Sequence, residues 1–230
     1  LVRELCNISG IRWIRILYCY PEEITDELIQ VMKEEPKVCH YLDLPIQHAN
    51  DTILKRMGRR TTKQELVNIV EKLRSEIPDI CLRTTLITGF PGETAEQHEE
   101  LMQFVDEMEF DRLGVFTYSP EEDTPAAGMP EQIEEEVKED RQAEIMELQQ
   151  EIAFEKSESM VGRVLDVMIE GKVADEAAYV GRTYMDAPNV DGYIFVNSGE
   201  LFMSGDFVRV KVTGSNDYDL IGEVYDESAE

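Results

Sequence analysis

"TTLITGFPGETAEQHEEL" occupies residues 84–101. A β-branched, apolar run stops at a Gly-Phe-Pro-Gly turn, and an amphipathic helix follows without a spacer. The helix opens on a capping box, Thr94-x-x-Gln97, and carries Leu101, Phe104, Val105 and Met108 at helical spacing. A strand that passes directly into a helix is half of a parallel βα unit, and the pattern recurs on both sides. "WIRILY" (13–18) leads to a helix from Thr25 with Leu28, Val31 and Met32 on one side, ended by Pro36. "YLDLPIQ" (41–47) leads to a helix that opens at Thr62-x-x-Glu65, buries Leu66, Ile69, Val70 and Leu73, and stops at Ile77–Pro78. "RLGVFTYS" (112–119) is the fourth strand. A loop rich in Pro, Ala and Gly (120–130) then leads to a long acidic helix from about 132 to 160.

Consecutive βα units predict one wall of a TIM-like α/β barrel, with the helices on one side of the sheet. Four units are too few to close such a barrel. Strands upstream of Leu1 are therefore expected, and a first residue of Leu instead of Met fits a piece of something longer. Near Ser159 the texture changes. "GRVLDVMIEG", "AYVGRTYM", "GYIFVN", "DFVRVKVTGS" and "DLIGEVYD" are short alternating runs broken by Gly, Asn, Asp and Pro. They predict a small antiparallel, OB-like barrel over 160–230, after a first domain over 1–159.

The 230 residues are 42% hydrophobic and 31% charged, which is ordinary for a globular chain. No apolar run is long enough to span a membrane and no leader-like segment opens the chain, so a cytoplasmic location is expected. Cys6, Cys19, Cys39 and Cys81 lack the short spacing of zinc or iron–sulfur ligands and are expected to be reduced thiols, with no metal site in this chain. His40, His48 and His98 form no metal-binding cluster either. A net charge of −27 repels nucleic acid and suits a basic partner.

The carboxyl ends of barrel strands are where chemistry is expected. Strand alternation puts Arg15, Asp43 with Gln47, and Arg83 in register with the barrel interior. A buried Arg needs a partner or an anion. Two readings stay open: a structural pair of Asp43 with Arg83 or Arg15, or an Arg that holds a ligand carboxylate. The Gly89–Glu93 turn is equally double. Its glycines permit close backbone approach to a ligand, but it lacks the Lys-Ser/Thr of a P-loop, and Glu93 also suits the helix dipole. Gln47, His48 and Asn50 present uncharged donors and acceptors. His48 could act as acid or base, although no partner is evident.

"YLDLPIQHANDTILKRMGRR", "LRTTLITGFPGET", "FDRLGVFTYSPEEDTPAA" and "VGRTYMDAPNVDGYIFVN" together resemble the radical S-adenosylmethionine methylthiotransferases, most closely the RimO-type branch that modifies an aspartate of a small-subunit ribosomal protein. The resemblance covers nearly the whole chain in family order. It implies a six-stranded partial α/β barrel that binds S-adenosylmethionine and a [4Fe–4S] cluster, with "WIRILY" as the third strand and a C-terminal TRAM domain of OB-like type. It implies cleavage of the sulfonium to a 5′-deoxyadenosyl radical, a second [4Fe–4S] cluster involved in sulfur supply, methyl donation by a second S-adenosylmethionine, and an electron donor such as flavodoxin. Carried over to this sequence, Arg15, Pro45, Gln47 and Arg83 would line the cofactor side. The turn of Gly89, Pro91, Gly92 and Glu93 would contact adenine, with Phe116 and Tyr118 at the sixth strand's end. Two departures stand out. The Cys-x-x-x-Cys-x-x-Cys motif is absent, so these residues by themselves are expected to be inactive, and Asp123 occupies a position where the resemblance leads to glycine.

Relatives in the same family methylthiolate adenosines of transfer RNA. Residues 160–230 hold five Lys/Arg against fourteen Asp/Glu, a net of −9, whereas an RNA-reading barrel needs a basic groove. The expectation is a basic ribosomal protein as substrate. The rivals are the transfer RNA activity and a binding module without chemistry; a hydrolase lacks any nucleophile–base pair.

Overall fold

The structure, a computed structural model, describes residues 1–226. After the short α1 (Val2–Cys6), the chain alternates β1 (Ile14–Ile16), α2 (Asp26–Glu34), β2 (Val38–Gln47), α3 (Asp51–Arg56), α4 (Lys63–Glu76), β3 (Cys81–Thr88), α5 (Ala95–Met108) and β4 (Arg112–Thr117) before the long α6 (Glu135–Ser159). The strands form one parallel sheet in the order β1-β2-β3-β4, as the βα repeats require. Helix starts follow the local chemistry. The Thr25 hydroxyl accepts the Leu28 N–H at 3.2 Å, and Thr62 and Thr94 both close reciprocal capping boxes, worth about 1 kcal/mol each. Helix α3 was not foreseen; Asn50 starts it by accepting from the Thr52 and Ile53 N–H groups at 3.0 and 3.2 Å.

The core lies between sheet and helices, with Met32, Leu42, Leu44, Leu73, Leu82 and Phe104 fully buried. Burying each Leu contributes about 1.5–3 kcal/mol. Strand β2 is largely buried on both faces, as a central parallel strand is expected to be. Its far end departs from simple alternation. Leu44 faces Thr84, but the next pair is Gln47 with Leu86, and Gln47 has φ +73°. Pro45 has no N–H to give the ladder, so a bulge forms there. The Thr84 hydroxyl fills the gap, donating to the Leu44 carbonyl at 2.7 Å and accepting from the Ile46 N–H at 3.5 Å. Strand β1 is shorter than its sequence pattern, because Tyr18 turns to φ +58° and donates its N–H to Asp43 Oδ2 at 3.2 Å.

Two compact units result, Leu1–Ile152 and Ala153–Glu230. In the second, β5 (Val164–Lys172), β6 (Ala178–Arg182), β7 (Ile194–Asn197), β8 (Phe207–Asn216) and β9 (Asp219–Val224) close a barrel in the order β5-β6-β7-β9-β8 around Val167, Ile169, Ile194, Val196 and Val210. All pairs are antiparallel except β7 with β9. The wholly antiparallel expectation is corrected here by parity: strand directions cannot alternate around a closed ring with an odd number of members. Phe154 meets Tyr218 edge-on within this unit, ring centroids 5.4 Å apart, so the last turns of α6 count with the barrel.

Candidate functional site

A cleft of about 960 Å³ opens at the carboxyl ends of β2, β3 and β4. Thr85 and Ile87 face it from alternate positions of β3, Pro45 and Gln47 from the bulged end of β2, and Phe116 from β4. Both Pro45 and Gln47 line it despite the bulge between Leu44 and Gln47. Phe90 and Tyr118 pack edge-to-face at 5.1 Å on the inner wall. The Tyr118 side chain is buried, yet its hydroxyl has no hydrogen-bond partner among the described residues. Phe116 is 61% exposed, a large aromatic face turned to the opening. Tyr20, the loop that holds Thr124 and Pro125, and Arg56, Arg59 and Arg60 complete the rim. Asp123 in that loop sits at φ +63°, the left-handed conformation that glycine takes most easily and Asp tolerates.

One step from the cleft, Arg83 donates to Asp43 at 2.9 Å, and Asp43 is 2% exposed. The pair sits directly across neighbouring strands, so the structural alternative for these residues is the one realised. Arg15 lies over the Tyr41 ring at 4.9 Å. Neither arginine lines the cleft.

The Gly89–Glu93 turn is occupied by its own protein. The buried Glu93 carboxylate accepts from the Gly89 and Phe90 N–H groups at 2.6 and 3.2 Å and pairs with Arg141 at 3.1 Å. Burial pushes its pKa up, against the pull of Arg141 and the turn's N–H groups. Glycine is favoured at both positions because the backbone there is left-handed, at φ +72° and +79°, and side chains from elsewhere pack close by. A Cβ at Gly89 would lie 2.3 Å from Lys138 Cγ, and one at Gly92 would lie 2.2 Å from an Arg56 guanidinium nitrogen. Pro91 is buried. Gly89, Pro91, Gly92 and Glu93, expected at the ligand, do not line the cleft; of this turn only Phe90 does.

His48 belongs to this buried network and not to the cleft. Its Nδ1 accepts from the Asn50 N–H at 2.9 Å, Glu93 lies 3.9 Å from Nε2, and burial lowers its pKa to about 3. Burial thus favours the neutral ring, and His48 does not line the cleft.

Of the ten residues expected at the cofactor, Pro45, Gln47, Phe116 and Tyr118 come together at the cleft, while Arg15, Arg83 and the four of the turn do not. Sequence reasoning put Thr85 on the inward face with Arg83 without making it a site residue, and missed Phe90, Tyr20 and the arginines of "KRMGRR". The period-two pattern through Thr85 and Ile87 held the signal for Thr85, and Gly58 after a helical run held it for the arginines. A cleft of this volume suits a small-molecule ligand, and its aromatic faces, Gln47 amide and unsatisfied Tyr118 hydroxyl fit a nucleoside-bearing one. An iron–sulfur cluster does not fit. Cys6, Cys39 and Cys81 are buried, Cys19 is half-buried, and no group of three metal-ligating side chains occurs among the described residues.

A parallel βα wall with its cleft at the strands' carboxyl ends, followed in sequence by a closed five-stranded barrel, defines the class. Residues 1–105 match the radical SAM superfamily and residues 161–224 the TRAM domain. Ribosomal protein uS12 methylthiotransferase RimO of Lachnoclostridium phytofermentans is 67% identical over 96% of this chain and 50% of its own length. The protein of the same name from Desulfitobacterium hafniense is 54% identical over 97% and 50%. The chain belongs to the RimO-type radical S-adenosylmethionine methylthiotransferases, and it spans about half the length of the curated relatives it matches. Among solved structures, coproporphyrinogen III oxidase (HemN) of Escherichia coli overlaps 88% of this chain and 46% of its own at 19% identity, with a TM-score of 0.45.

Proposed function

We propose that the protein carrying this chain inserts sulfur and a methyl group at an aspartate side-chain carbon of ribosomal protein uS12 by radical S-adenosylmethionine chemistry. The observation that carries the reading is the 67% identity with a relative of that name across 96% of the chain. The cleft supports it. Pro45 and Gln47 would bound the nucleoside from β2, Phe116 would offer it a face, and the ligand would give the Tyr118 hydroxyl the partner it lacks. S-Adenosylmethionine, when bound, supplies the carbon radical that removes the substrate hydrogen and the methyl group of the product. This chain's residues bind, orient and exclude water. Its four cysteines do not fit a cluster, so the two [4Fe–4S] clusters of the reading are assigned to other residues of the whole protein, and the 230 residues alone are expected to be inactive.

The domains of this reading are barrel wall over 1–159 and TRAM over 160–230, the latter meeting the substrate protein. Its ribosomal substrate places the protein in the cytoplasm, with an electron donor such as flavodoxin. Full-length protein, reconstituted anaerobically and incubated with uS12 and S-adenosylmethionine, should add one methylthio group to an aspartate, seen by mass spectrometry of the digest. A methylthio group on transfer RNA adenosine, with uS12 unchanged, would overturn the proposal.

A further inference from the structure

In a chain of net charge −27, the cleft rim is lined by three arginines and one carboxylate, that of Glu22. The backbone there is fixed. Gly58, at φ +76°, ends α3 by donating to the Lys55 carbonyl at 3.1 Å, and Arg59 donates its N–H to the Leu54 carbonyl at 2.9 Å. These are the paired bonds of a Schellman motif, and they turn the chain back so that Arg59 and Arg60 face the cleft. Arg59 is held in place without losing its charge. It donates to the Pro45 carbonyl, and its guanidinium lies 4.8 Å from the Tyr20 ring centroid. Arg60 is exposed. Among the described residues no carboxylate pairs with either. Arg56 is engaged differently, covering Gly92 and meeting Glu131 at 3.4 Å. The cleft also includes Tyr118, whose buried hydroxyl has no hydrogen-bond partner among the described residues.

We infer that Arg59 and Arg60 form a carboxylate-reading edge of the cleft, and that Arg60 selects an acidic side chain as the residue to be modified. The inference rests on the uS12 reading above and deepens it to the choice of residue. A carboxylate entering a strongly acidic molecule is repelled unless cations meet it at the point of entry. Guanidinium groups meet it with paired, charge-assisted hydrogen bonds, which an uncharged amide of the same shape cannot match. The overall negative charge thus suits the basic substrate protein, while the rim suits its one acidic target.

The experiment uses full-length reconstituted protein and two synthetic peptides of the modified uS12 segment, with Asp or Asn at the target. Binding is read by fluorescence anisotropy, methylthiolation by mass spectrometry, and S-adenosylmethionine affinity by calorimetry. Arg60→Gln should weaken the Asp peptide about tenfold and leave the Asn peptide and S-adenosylmethionine unchanged, so that the preference for Asp disappears. Arg60→Lys should restore part of it. An unchanged Asp preference in Arg60→Gln overturns the inference alone. So does a loss confined to S-adenosylmethionine, which would make the cofactor's carboxylate the ligand, or a loss confined to transfer RNA binding. Wild-type protein that modifies transfer RNA but neither uS12 nor the Asp peptide overturns the underlying reading as well.

Discussion

His48 shows how a residue whose type invites a catalytic role can instead lie buried away from the cleft. It is fully buried, its Nδ1 is taken by the Asn50 N–H, and Glu93, His98 and Arg141 are its charged or titratable neighbours. Burial first, then the positive charge on His98 and Arg141, keeps it neutral down to about pH 3, below the ordinary 6.5. The unfolded chain takes up a proton below 6.5 and the fold does not. The resulting stability is therefore complete above that pH and is lost on acidification, by up to about 1.4 kcal/mol per pH unit. Glu93 works in the opposite sense, since its raised pKa lets the fold bind a proton before the unfolded chain does. Urea midpoints followed through the single tryptophan, Trp13, should fall from pH 7 to pH 5, and His48→Gln should flatten that slope. An identical slope in the variant would show that His48 titrates normally. None of this was legible in the sequence, where a lone His carries no sign of its depth. The arginines of the rim were half legible: Gly58 marks a helix end, but only the fold shows which way the chain then turns.

At the scale of elements, the helix starts were legible because capping is local, and Thr25, Thr62 and Thr94 each cap the helix expected of them. Helix α6 was legible only as a long polar helix. Its inward stripe is Lys138, Arg141, Gln142, Ile145, Gln149 and Ile152, at helical spacing but mostly polar, so hydropathy does not reveal a buried face. These side chains dock by hydrogen bonds. Gln149 donates to the Phe110 carbonyl at 2.8 Å, Gln142 to Val115 at 2.6 Å and Lys138 to Tyr118 at 2.9 Å, satisfying backbone groups at and around β4. Arg141 donates to both the Glu93 backbone carbonyl and its carboxylate at 3.1 Å, which ties the helix to the glycine turn. Arg141→Ala would leave the Glu93 charge buried without its main partner, a loss of about 3–5 kcal/mol. The urea midpoint read through Trp13 should drop accordingly; a change below about 1 kcal/mol would mean the turn holds without the helix.

For the molecule as a whole, the alternation of βα units and the change of texture near Ser159 declared a parallel wall and a β-barrel, because both depend on periodicity. The parallel seam of the barrel follows from strand number and could have been anticipated; the bulge at Pro45 depends on pairing across strands and could not. Charge is the property that acts over the longest range. Residues 160–230 carry a net −9 within a chain of −27, and Arg163, Lys172, Arg182, Arg209 and Lys211 are the barrel's only cations. Of these, Arg182 is already paired with Glu170 at 2.5 Å, and Arg209 lies over the Tyr225 ring at 5.2 Å. Such a surface attracts a basic protein through charges that salt screens, since the Debye length contracts from about 30 Å at 0.01 M to about 10 Å at 0.1 M salt. Association of the full-length protein with uS12 should therefore weaken by about tenfold or more between low and near-physiological salt, mainly through a slower on-rate. Transfer RNA, repelled by the same surface, should not bind measurably across that range. Stopped-flow fluorescence at several salt concentrations separates the cases. An on-rate for uS12 that ignores salt would mean shape and apolar contact govern recognition, and tight transfer RNA binding that weakens steeply with salt would place the long-range attraction on the wrong partner.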